Sequence, residues 1–352
     1  MVMSMSWFIP ENEFDIFVKN LSKKRRLFVP VKENSIVRFV EFKDGIKPYF
    51  EKQATSSAKN TIFPQTETLF RFEYKKDPKD LKKFSVEISE TIEAPETVVL
   101  GTRPCDARGF LVFDKVFLNP KHPDIYYQNR REKSLFITMT CTDPEPTCFC
   151  KAVGSSPADS LGSDILITKV KDGFFVETIT EKGEKLLNEL NLKDGDAYSK
   201  EAEKVKDEAN EKLESPFDTK GLSTDILKLF NTNFWEKELA HCLSCGVCTY
   251  LCPTCYCFNI TDETSDSEGE RIRTWDACMF FHFTLEGSGH NPRPTKAERF
   301  RNRVGHKFSY FPDKYDGMIA CCGCGRCIKS CPASVDIRKV IIDLKEAANE
   351  SA

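Results

Sequence analysis

The sequence predicts a two-part protein, with an α/β domain over residues 1–215 and a mainly helical domain over residues 216–352. In the first part, short apolar runs alternate with helical patterns, which is typical of α/β folds. The second part carries two copies of the pattern Cys-x2-Cys-x2-Cys-x3-Cys-Pro, with helical patterns around them. A chain of 352 residues is long enough for two or three domains.

Apolar periodicity predicts the elements of the first part in chain order. A helix is expected over residues 11–23, where Phe14, Phe17, Val18 and Leu21 recur at helical spacing. The stretch RRLFVPVKENSIVRFVEF alternates and predicts two strands joined by a turn. Further strands are expected at residues 97–100, 134–140, 164–170 and 173–180, the last two as a hairpin, with a helix near residues 107–117.

Helical patterns dominate the rest of the chain. Residues 181–214 are dense in charged side chains with scattered Leu, which indicates a solvated helical segment. One helix is expected near residues 223–240, leading into the first cysteine motif, and another over residues 334–349 closes the chain.

The repeated cysteine pattern is the run that holds [4Fe–4S] clusters in two-cluster ferredoxins. Three cysteines at intervals of three residues wrap around one cluster, and the cysteine after the x3 gap reaches the other cluster. The expected ligands are Cys242, Cys245, Cys248 and Cys331 for cluster 1, and Cys321, Cys324, Cys327 and Cys252 for cluster 2. A zinc ribbon also uses Cys-x2-Cys pairs, but the complete run does not fit a single zinc ion. The long spacer over residues 253–320 predicts a helical, ferredoxin-like domain.

Four further cysteines form a group in the first part: Cys105, Cys141, Cys148 and Cys150. Cys105 follows one predicted strand and Cys141 ends the next. If these strands are parallel neighbours, their carboxyl ends bring the four thiols to one edge, where ligand sites commonly form. Four thiolates suffice for a third [4Fe–4S] cluster, and a zinc site and buried free thiols are the alternatives. Asp106 is expected to stabilise the turn, with a role as ligand or hydrogen-bond acceptor as the alternative.

The last group has three thiols, whereas a [4Fe–4S] cubane needs four ligands. Its members are Cys255, Cys257 and Cys278. These cysteines either shield cluster 1 as packing thiols or hold a site-differentiated cluster with a fourth ligand such as His282 or Asp276. Their role is left open between these two. Cys322 is given no role, because its neighbour Cys321 has the correct register.

Composition and charge narrow the class of protein. The formal net charge of −3 does not favour a nucleic-acid partner, and no apolar run is long enough for a membrane span. Sixteen cysteines in metal-ligand patterns indicate a reducing compartment, and the N-terminus lacks a signal-peptide pattern. We therefore expect a cytoplasmic protein.

Motifs for other chemistry are missing from the sequence. It contains no dinucleotide fingerprint, Walker loop, Ser-His-Asp arrangement or HExxH motif, so no catalytic residue is expected. A chain with clusters but no flavin or substrate motif is expected to transfer electrons between other subunits. The basic residues at 290–307 and Arg326 either offset the negative charge of the clusters or lie on a solvated face. The alternative functions are a catalytic subunit with a site-differentiated cluster and a zinc-bound assembly scaffold.

Several strings extend beyond the cluster motifs and carry a family resemblance. They are GTRPCDARGF at 101–110, YYQNRREKS at 126–134, CLSCGVCTYLCPTCYCF at 242–258, RTWDACMF at 273–280, GHNPRPTKAERFRNR at 289–303 and CCGCGRCIKSCP at 321–332. Together with the spacing of Cys141, Cys148 and Cys150, they resemble the β subunit of cytosolic sulfhydrogenases and, equally, the iron–sulfur subunit of the anaerobic sulfite reductase. These two families are related to each other, and the resemblance is weakest at residues 150–235.

The resemblance implies an iron–sulfur subunit of a heteromeric cytoplasmic complex. Such a subunit lies beside a flavin-containing subunit that exchanges electrons with NAD(P)H or ferredoxin. It passes electrons to a catalytic subunit such as a nickel–iron hydrogenase or a sulfite reductase. The N-terminal cysteine group is also present in the family, so the resemblance favours a third [4Fe–4S] cluster at Cys105, Cys141, Cys148 and Cys150.

Overall fold

In the computed structural model, the described residues are 6–80 and 82–350. They form twelve strands: β1 (Ser6–Pro10), β2 (Arg26–Glu33), β3 (Ile36–Glu41), β4 (Thr66–Lys76), β5 (Phe84–Glu90), β6 (Thr97–Thr102), β7 (Ser134–Met139), β8 (Ile165–Val170), β9 (Gly173–Thr178), β10 (Lys193–Asp194), β11 (Phe258–Ser265) and β12 (Glu268–Trp275). The fold is mixed α/β, which confirms the predicted class for the first part of the chain.

The α-helices of the described residues are mostly short: α1 (Phe14–Ser22), α2 (Pro104–Phe117), α3 (Ile125–Lys133), α4 (Glu181–Asn188), α5 (Ser199–Glu211), α6 (Leu222–Lys228), α7 (Phe234–Glu238), α8 (Val247–Tyr250), α9 (Lys296–Gly305), α10 (Phe311–Lys314), α11 (Arg326–Lys329) and α12 (Ile337–Glu350). A π-helical turn at His306–Tyr310 joins α9 to α10. The single helix expected near residues 223–240 is instead two helices, α6 and α7, with an irregular turn between them.

An eight-stranded sheet organises the first part of the chain, in the order β10-β1-β9-β8-β7-β6-β2-β3. Its central strands β2, β6, β7 and β8 are parallel, as expected for βα units. Every residue of β6 and β7 is buried, so the sheet is covered on both faces there. The helix α1 buries Phe14, Phe17, Val18 and Leu21, the four residues that predicted it.

A second, four-stranded antiparallel sheet was not predicted from the sequence; its order is β11-β12-β4-β5. Strands β4 and β5 come from the first part of the chain and β11 and β12 from the second. One sheet thus contains strands from both sides of the expected domain boundary between residues 215 and 216. This boundary stays a prediction. The second part contains helices α6–α12 together with the β11–β12 hairpin, so its mainly helical character is not confirmed.

The outer end of this second sheet has one apolar face. Phe72 pairs with Ile88 and Tyr74 with Val86, which places these four side chains on the same face. Phe84 and Ile88 are each 67% exposed. An alternation of apolar and polar residues in TETLFRFEYKK and FSVEISE is the sequence signal for these strands.

Apolar cores cover both faces of the large sheet. One includes Val98 and Ile137, and the other includes Val99 and Phe136. A further core lies in the second part, around Trp235 and Leu344, and it also contains Phe149 from the first part. Within residues 6–80 and 82–350, no helix has both the length and the hydropathy that crossing a bilayer requires.

Candidate metal centres

The two cysteine motifs have the same backbone conformation. Ser244 and Gly323, which occupy equivalent positions, both have positive φ, and so do Gly246 and Gly325. Each of these last two glycines precedes a four-residue helix, α8 or α11. A Cβ atom on Gly325 would approach the Thr147 backbone to 2.6 Å, so glycine is required there for space as well as for φ. The repeat seen in the sequence is therefore also a repeat in structure.

The predicted ligands of cluster 1 surround one small cavity. Its lining includes Cys242, Cys245 and Cys248 from the first motif and Cys331 from the second. Cys327, which was assigned to cluster 2, also reaches this cavity. The cysteine after the x3 gap of the second motif thus lies beside the first three cysteines of the other motif. Such a crossed arrangement is the ligand pattern of two-cluster ferredoxins.

The predicted ligands of cluster 2 are also neighbours. The sulfur of Cys252 lies within electrostatic range of Cys321, Cys324 and Cys327. Cys252, Cys321 and Cys324 are buried, and Cys327 is half-buried. All sixteen cysteines of the chain are free thiols. These positions are deeper in the protein than Cys245, which is exposed.

The N-terminal cysteine group meets at one edge of the large sheet. Strands β6 and β7 are parallel neighbours, which was the condition for bringing these thiols together. The four cysteines line one cavity: Cys105, Cys141, Cys148 and Cys150. Cys105 lies at the start of α2, and the other three follow β7. Cys324 of the second motif lines the same cavity, so this group adjoins the predicted cluster 2.

Backbone contacts connect this group directly to the second motif. The Phe149 N–H donates to the Gly323 carbonyl at 2.8 Å, and the Cys148 thiol donates to the Cys324 carbonyl at 3.7 Å. A Cβ atom on Gly323 would come within 2.5 Å of the Cys150 backbone, so the two segments pack as closely as glycine permits. The candidate sites in the two parts of the chain are therefore in direct backbone contact.

Burial makes free thiolates unfavourable in the N-terminal group. Desolvation, followed by the neighbouring Cys141 sulfur, raises the pKa of Cys148 and of Cys150 to about 12. Desolvation also raises the pKa of Cys141 and of Cys105. Four thiolates are stable together in such a place when a cation such as iron binds them. Among the described residues, no set of three or more His, Cys, Asp or Glu side chains has the close spacing of ligands around a single metal ion.

Asp106 and Arg326 form a buried ion pair between the N-terminal group and the second motif. The Arg326 guanidinium lies 2.9 Å from the Asp106 carboxylate, and both side chains are almost fully buried. Asp106 also accepts the Arg103 N–H at 3.2 Å, which caps the start of α2. The turn-stabilising role expected for Asp106 therefore agrees with its contacts, and Arg326 is buried rather than solvated.

Three buried cations face the first motif without a carboxylate partner among the described residues: Lys59, Arg303 and Lys307. Lys59 donates to the carbonyls of Thr249 and Cys255 and lies 4.0 Å from the centre of the Trp275 ring. Burial lowers the pKa of Lys59 to about 8, and the nearby cysteine sulfurs act in the opposite direction. Buried charges require paired charges, so these cations indicate an anionic group at the cysteines.

Arg303 and Lys307 belong to the basic stretch at residues 290–307. Arg303 donates to the Cys255 sulfur at 3.3 Å and to the Cys248 carbonyl at 2.7 Å. Lys307 donates to the Cys252 sulfur at 3.5 Å. These contacts favour the interpretation that the stretch offsets cluster charge. Lys59 was missed from the sequence, because it lies far from the motifs in the chain and carries no pattern.

The three cysteines of open role meet at the base of the β11–β12 hairpin. Because Phe258 pairs with Trp275, Cys257 precedes and Cys278 follows the paired ends of the hairpin. The Cys278 sulfur lies 3.6 Å from the Thr249 hydroxyl. His282 is exposed and Asp276 is half-buried, with one carboxylate oxygen accepting the Ala277 N–H.

A comparison with known protein families identifies the domain that contains both cysteine motifs. The family described as 4Fe-4S dicluster domain matches residues 241–335, which span both motifs and the hairpin between them. The chain is therefore an iron–sulfur protein with a 4Fe-4S dicluster domain.

A relative places the chain in a family. Sulfhydrogenase 2 subunit beta of Pyrococcus furiosus is 33% identical over 343 residues, covering 95% of this chain and 96% of the relative. The chain belongs to the sulfhydrogenase β-subunit family, which confirms the resemblance seen in the sequence. No solved structure matches the chain.

Proposed function

We propose that this protein is the electron-transfer subunit of a heteromeric anaerobic oxidoreductase complex. Cys242, Cys245, Cys248 and Cys331 would hold cluster 1, and Cys321, Cys324, Cys327 and Cys252 would hold cluster 2. Cys105, Cys141, Cys148 and Cys150 would hold a third [4Fe–4S] cluster. When bound, each cluster accepts and releases one electron at a time.

The observation that carries this proposal is that cysteines from neighbouring thiol sets line the same cavities. Cys331 of the second motif lines the same cavity as Cys242, Cys245 and Cys248, and Cys324 borders the cavity of the N-terminal group. Continuous burial from that group to the second motif would exclude water from the sites between them. Exposure of Cys245 would leave the other end open toward a redox partner.

The chain's own residues would hold the charged groups within this buried region. Lys59, Arg303 and Lys307 would offset the negative charge of thiolate-bound clusters. The Arg326–Asp106 ion pair would fix the second motif against α2. None of these roles requires the chain to bind or transform a substrate, so we propose that it is not itself catalytic.

The proposed complex contains a flavin subunit linked to NAD(P)H or ferredoxin and a catalytic subunit of the hydrogenase or sulfite reductase type. The relative's name supports membership of a complex, since that protein is a subunit of a sulfhydrogenase. The exposed apolar face of the second sheet also supports it, because such patches are typical of subunit interfaces. We propose a cytoplasmic location, as the abundance of free cysteines suggests.

The isolated chain, purified without oxygen, tests the proposed function. Reduction by a one-electron donor should be stoichiometric, and the electrons should be recovered by an added viologen-type acceptor. The same preparation should not turn over hydrogen, sulfite or polysulfide. Turnover by the isolated chain would favour the catalytic alternative, with Cys255, Cys257 and Cys278 around an open iron.

The third cluster has its own test in a Cys148→Ser variant. We expect loss of about four iron atoms per chain while the EPR signals of clusters 1 and 2 remain. An Asn119→Ser variant, changed on the exposed loop after α2, is the control. Unchanged iron with bound zinc in the parent protein would contradict the third cluster.

A further inference from the structure

The two cysteine motifs differ at the residue after their first cysteine. In the first motif this residue is Leu243, which is 67% exposed. In the second it is Cys322, which is 2% exposed and packs against Cys105 and Cys324. Because the backbones of the two motifs match, the difference lies in the side chains and their surroundings.

Cys322 contacts a predicted ligand of cluster 2. Its buried side chain packs against Cys324 and Cys105. A cysteine that ligates iron has no proton on sulfur, so Cys324 can only accept a hydrogen bond when the cluster is bound. Cys322, which is not a predicted ligand, keeps its thiol proton and is the donor beside the Cys324 sulfur.

A second buried cysteine lies beside another predicted ligand of cluster 2. The Cys255 backbone N–H donates to the Cys252 carbonyl at 3.4 Å, and Arg303 donates to the Cys255 sulfur at 3.3 Å. By the same reasoning, the Cys255 thiol is a donor beside the Cys252 sulfur. Lys307 adds a charged donor, 3.5 Å from the Cys252 sulfur.

The sulfurs of cluster 1 have weaker donors. Cys242 accepts the Ser244 backbone N–H at 3.4 Å, and Cys331 accepts the Val335 backbone N–H at 3.3 Å. Both donors are neutral backbone groups. Hydrogen bonds, nearby positive charge and solvent exposure are the features that set iron–sulfur reduction potentials.

We propose that Cys322, Cys255 and Lys307 are positioning residues that donate hydrogen bonds to the ligand sulfurs of cluster 2. Their donation makes cluster 2 easier to reduce than cluster 1. This inference rests on the proposed function, since it requires both clusters. It gives Cys322 and Cys255 a role in which neither residue ligates iron.

The test compares Cys322→Ala with Leu243→Ala, its matched control in the first motif. Both variants are purified without oxygen as full chains, and iron and labile sulfide are measured. EPR-monitored potentiometric titration then gives the midpoint potential of each cluster. We expect Cys322→Ala to keep the parent iron content and to lower the reduction equilibrium constant of one cluster severalfold. A tenfold change corresponds to about 59 mV for one electron. Leu243 lines the cavity of cluster 1, so Leu243→Ala should leave unchanged the midpoint potential that Cys322→Ala lowers.

A Cys322→Ser variant separates hydrogen bonding from packing. Its hydroxyl still donates, so we expect it to recover most of the potential lost in Cys322→Ala. Equal potentials in the parent, Ala and Ser proteins would overturn the proposal and leave Cys322 as a packing thiol. Loss of iron from Cys322→Ala would overturn it by making Cys322 a ligand.

Lys307→Met and Cys255→Ala extend the test to the residues near Cys252. Lys307→Met removes both a donor and a positive charge, so it should lower the potential more than either cysteine variant. The three variants should all lower the same one of the three midpoints, and changes in different midpoints would contradict the assignment to cluster 2. A parent protein without iron would overturn the proposed function itself, which is a different outcome from unchanged potentials.

Discussion

The two halves of the molecule are stabilised in different ways. Around the large sheet, strands β6 and β7 are wholly buried among apolar side chains such as Val99 and Ile137. Around the two motifs, the helices α8 and α11 have only four residues each, and buried cations face the cysteines. Helices this short are not stable by themselves. Apolar burial therefore maintains the first region, and we expect metal ligation to add to the apolar core of the second.

Removal of iron should reveal this difference most strongly. Chelation under reducing conditions should cause residues 241–335 to lose protection in hydrogen exchange, because the buried cations lose their anionic partners. Strands β6 and β7 should keep their protection. Equal loss of protection in both regions would show that the clusters support the whole fold. No loss in either region would show that ligation is not needed for folding.

A cavity in the first region should lower stability without affecting iron. Phe136 is fully buried and stacks on Phe110 with ring centres 4.3 Å apart. We expect Phe136→Ala to lower the free energy of unfolding by about 3–5 kcal/mol, measured by anaerobic urea titration with circular dichroism.

The control for this cavity is Ile36→Ala, since Ile36 is 52% exposed and should cost much less. Both variants should keep the parent iron content. Loss of iron from Phe136→Ala alone would show that the two regions are coupled more tightly than their separate cores suggest.

The buried pair that joins the regions should have a smaller effect. Arg326→Met leaves the Asp106 carboxylate buried without its partner, which should cost about 3 kcal/mol in urea unfolding. The double variant with Asp106→Ala should recover part of this loss, because no uncompensated charge remains. Additive costs would show that the pair does not interact across the interface.

The smallest expected effect is a pH dependence from His306, which is hydrogen-bonded to the Tyr256 hydroxyl at 3.0 Å. Burial, assisted by the charges of Lys307 and Arg303, lowers the pKa of His306 to about 4. The unfolded chain binds a proton near pH 6.5, but the folded chain does not until about pH 4, so stability falls as pH falls between these values. Between pH 7 and pH 5 the parent should lose about 2 kcal/mol from this group. His306→Gln should lose correspondingly less, and identical pH profiles would contradict the assignment.

The sequence could predict the large sheet because its strands are short apolar runs with turn residues between them. It also predicts ligand sets for clusters 1 and 2, because the motif spacing reflects the size of a cubane, and these sets stay predictions. The N-terminal group needed one added assumption, that two strands are parallel neighbours, and β6 and β7 are.

Sequence patterns could not predict contacts between segments that are distant in the chain. Lys59 reaches the first motif from a short 3-10 turn about which no spacing rule says anything. Strands β4 and β5 alternate, but β12, the strand that joins β4 to the rest of the sheet, lies nearly two hundred residues away, so the second sheet was missed. Cys322 could not be given a role, because its contact with Cys105 depends on how the two parts pack.

Iron and acid-labile sulfide per chain, measured on protein purified without oxygen and paired with EPR of the reduced form, test the central claim most directly. Three clusters predict about twelve iron atoms and interacting [4Fe–4S] signals. About eight iron atoms would contradict the third cluster and leave Cys105, Cys141, Cys148 and Cys150 as zinc ligands or core thiols.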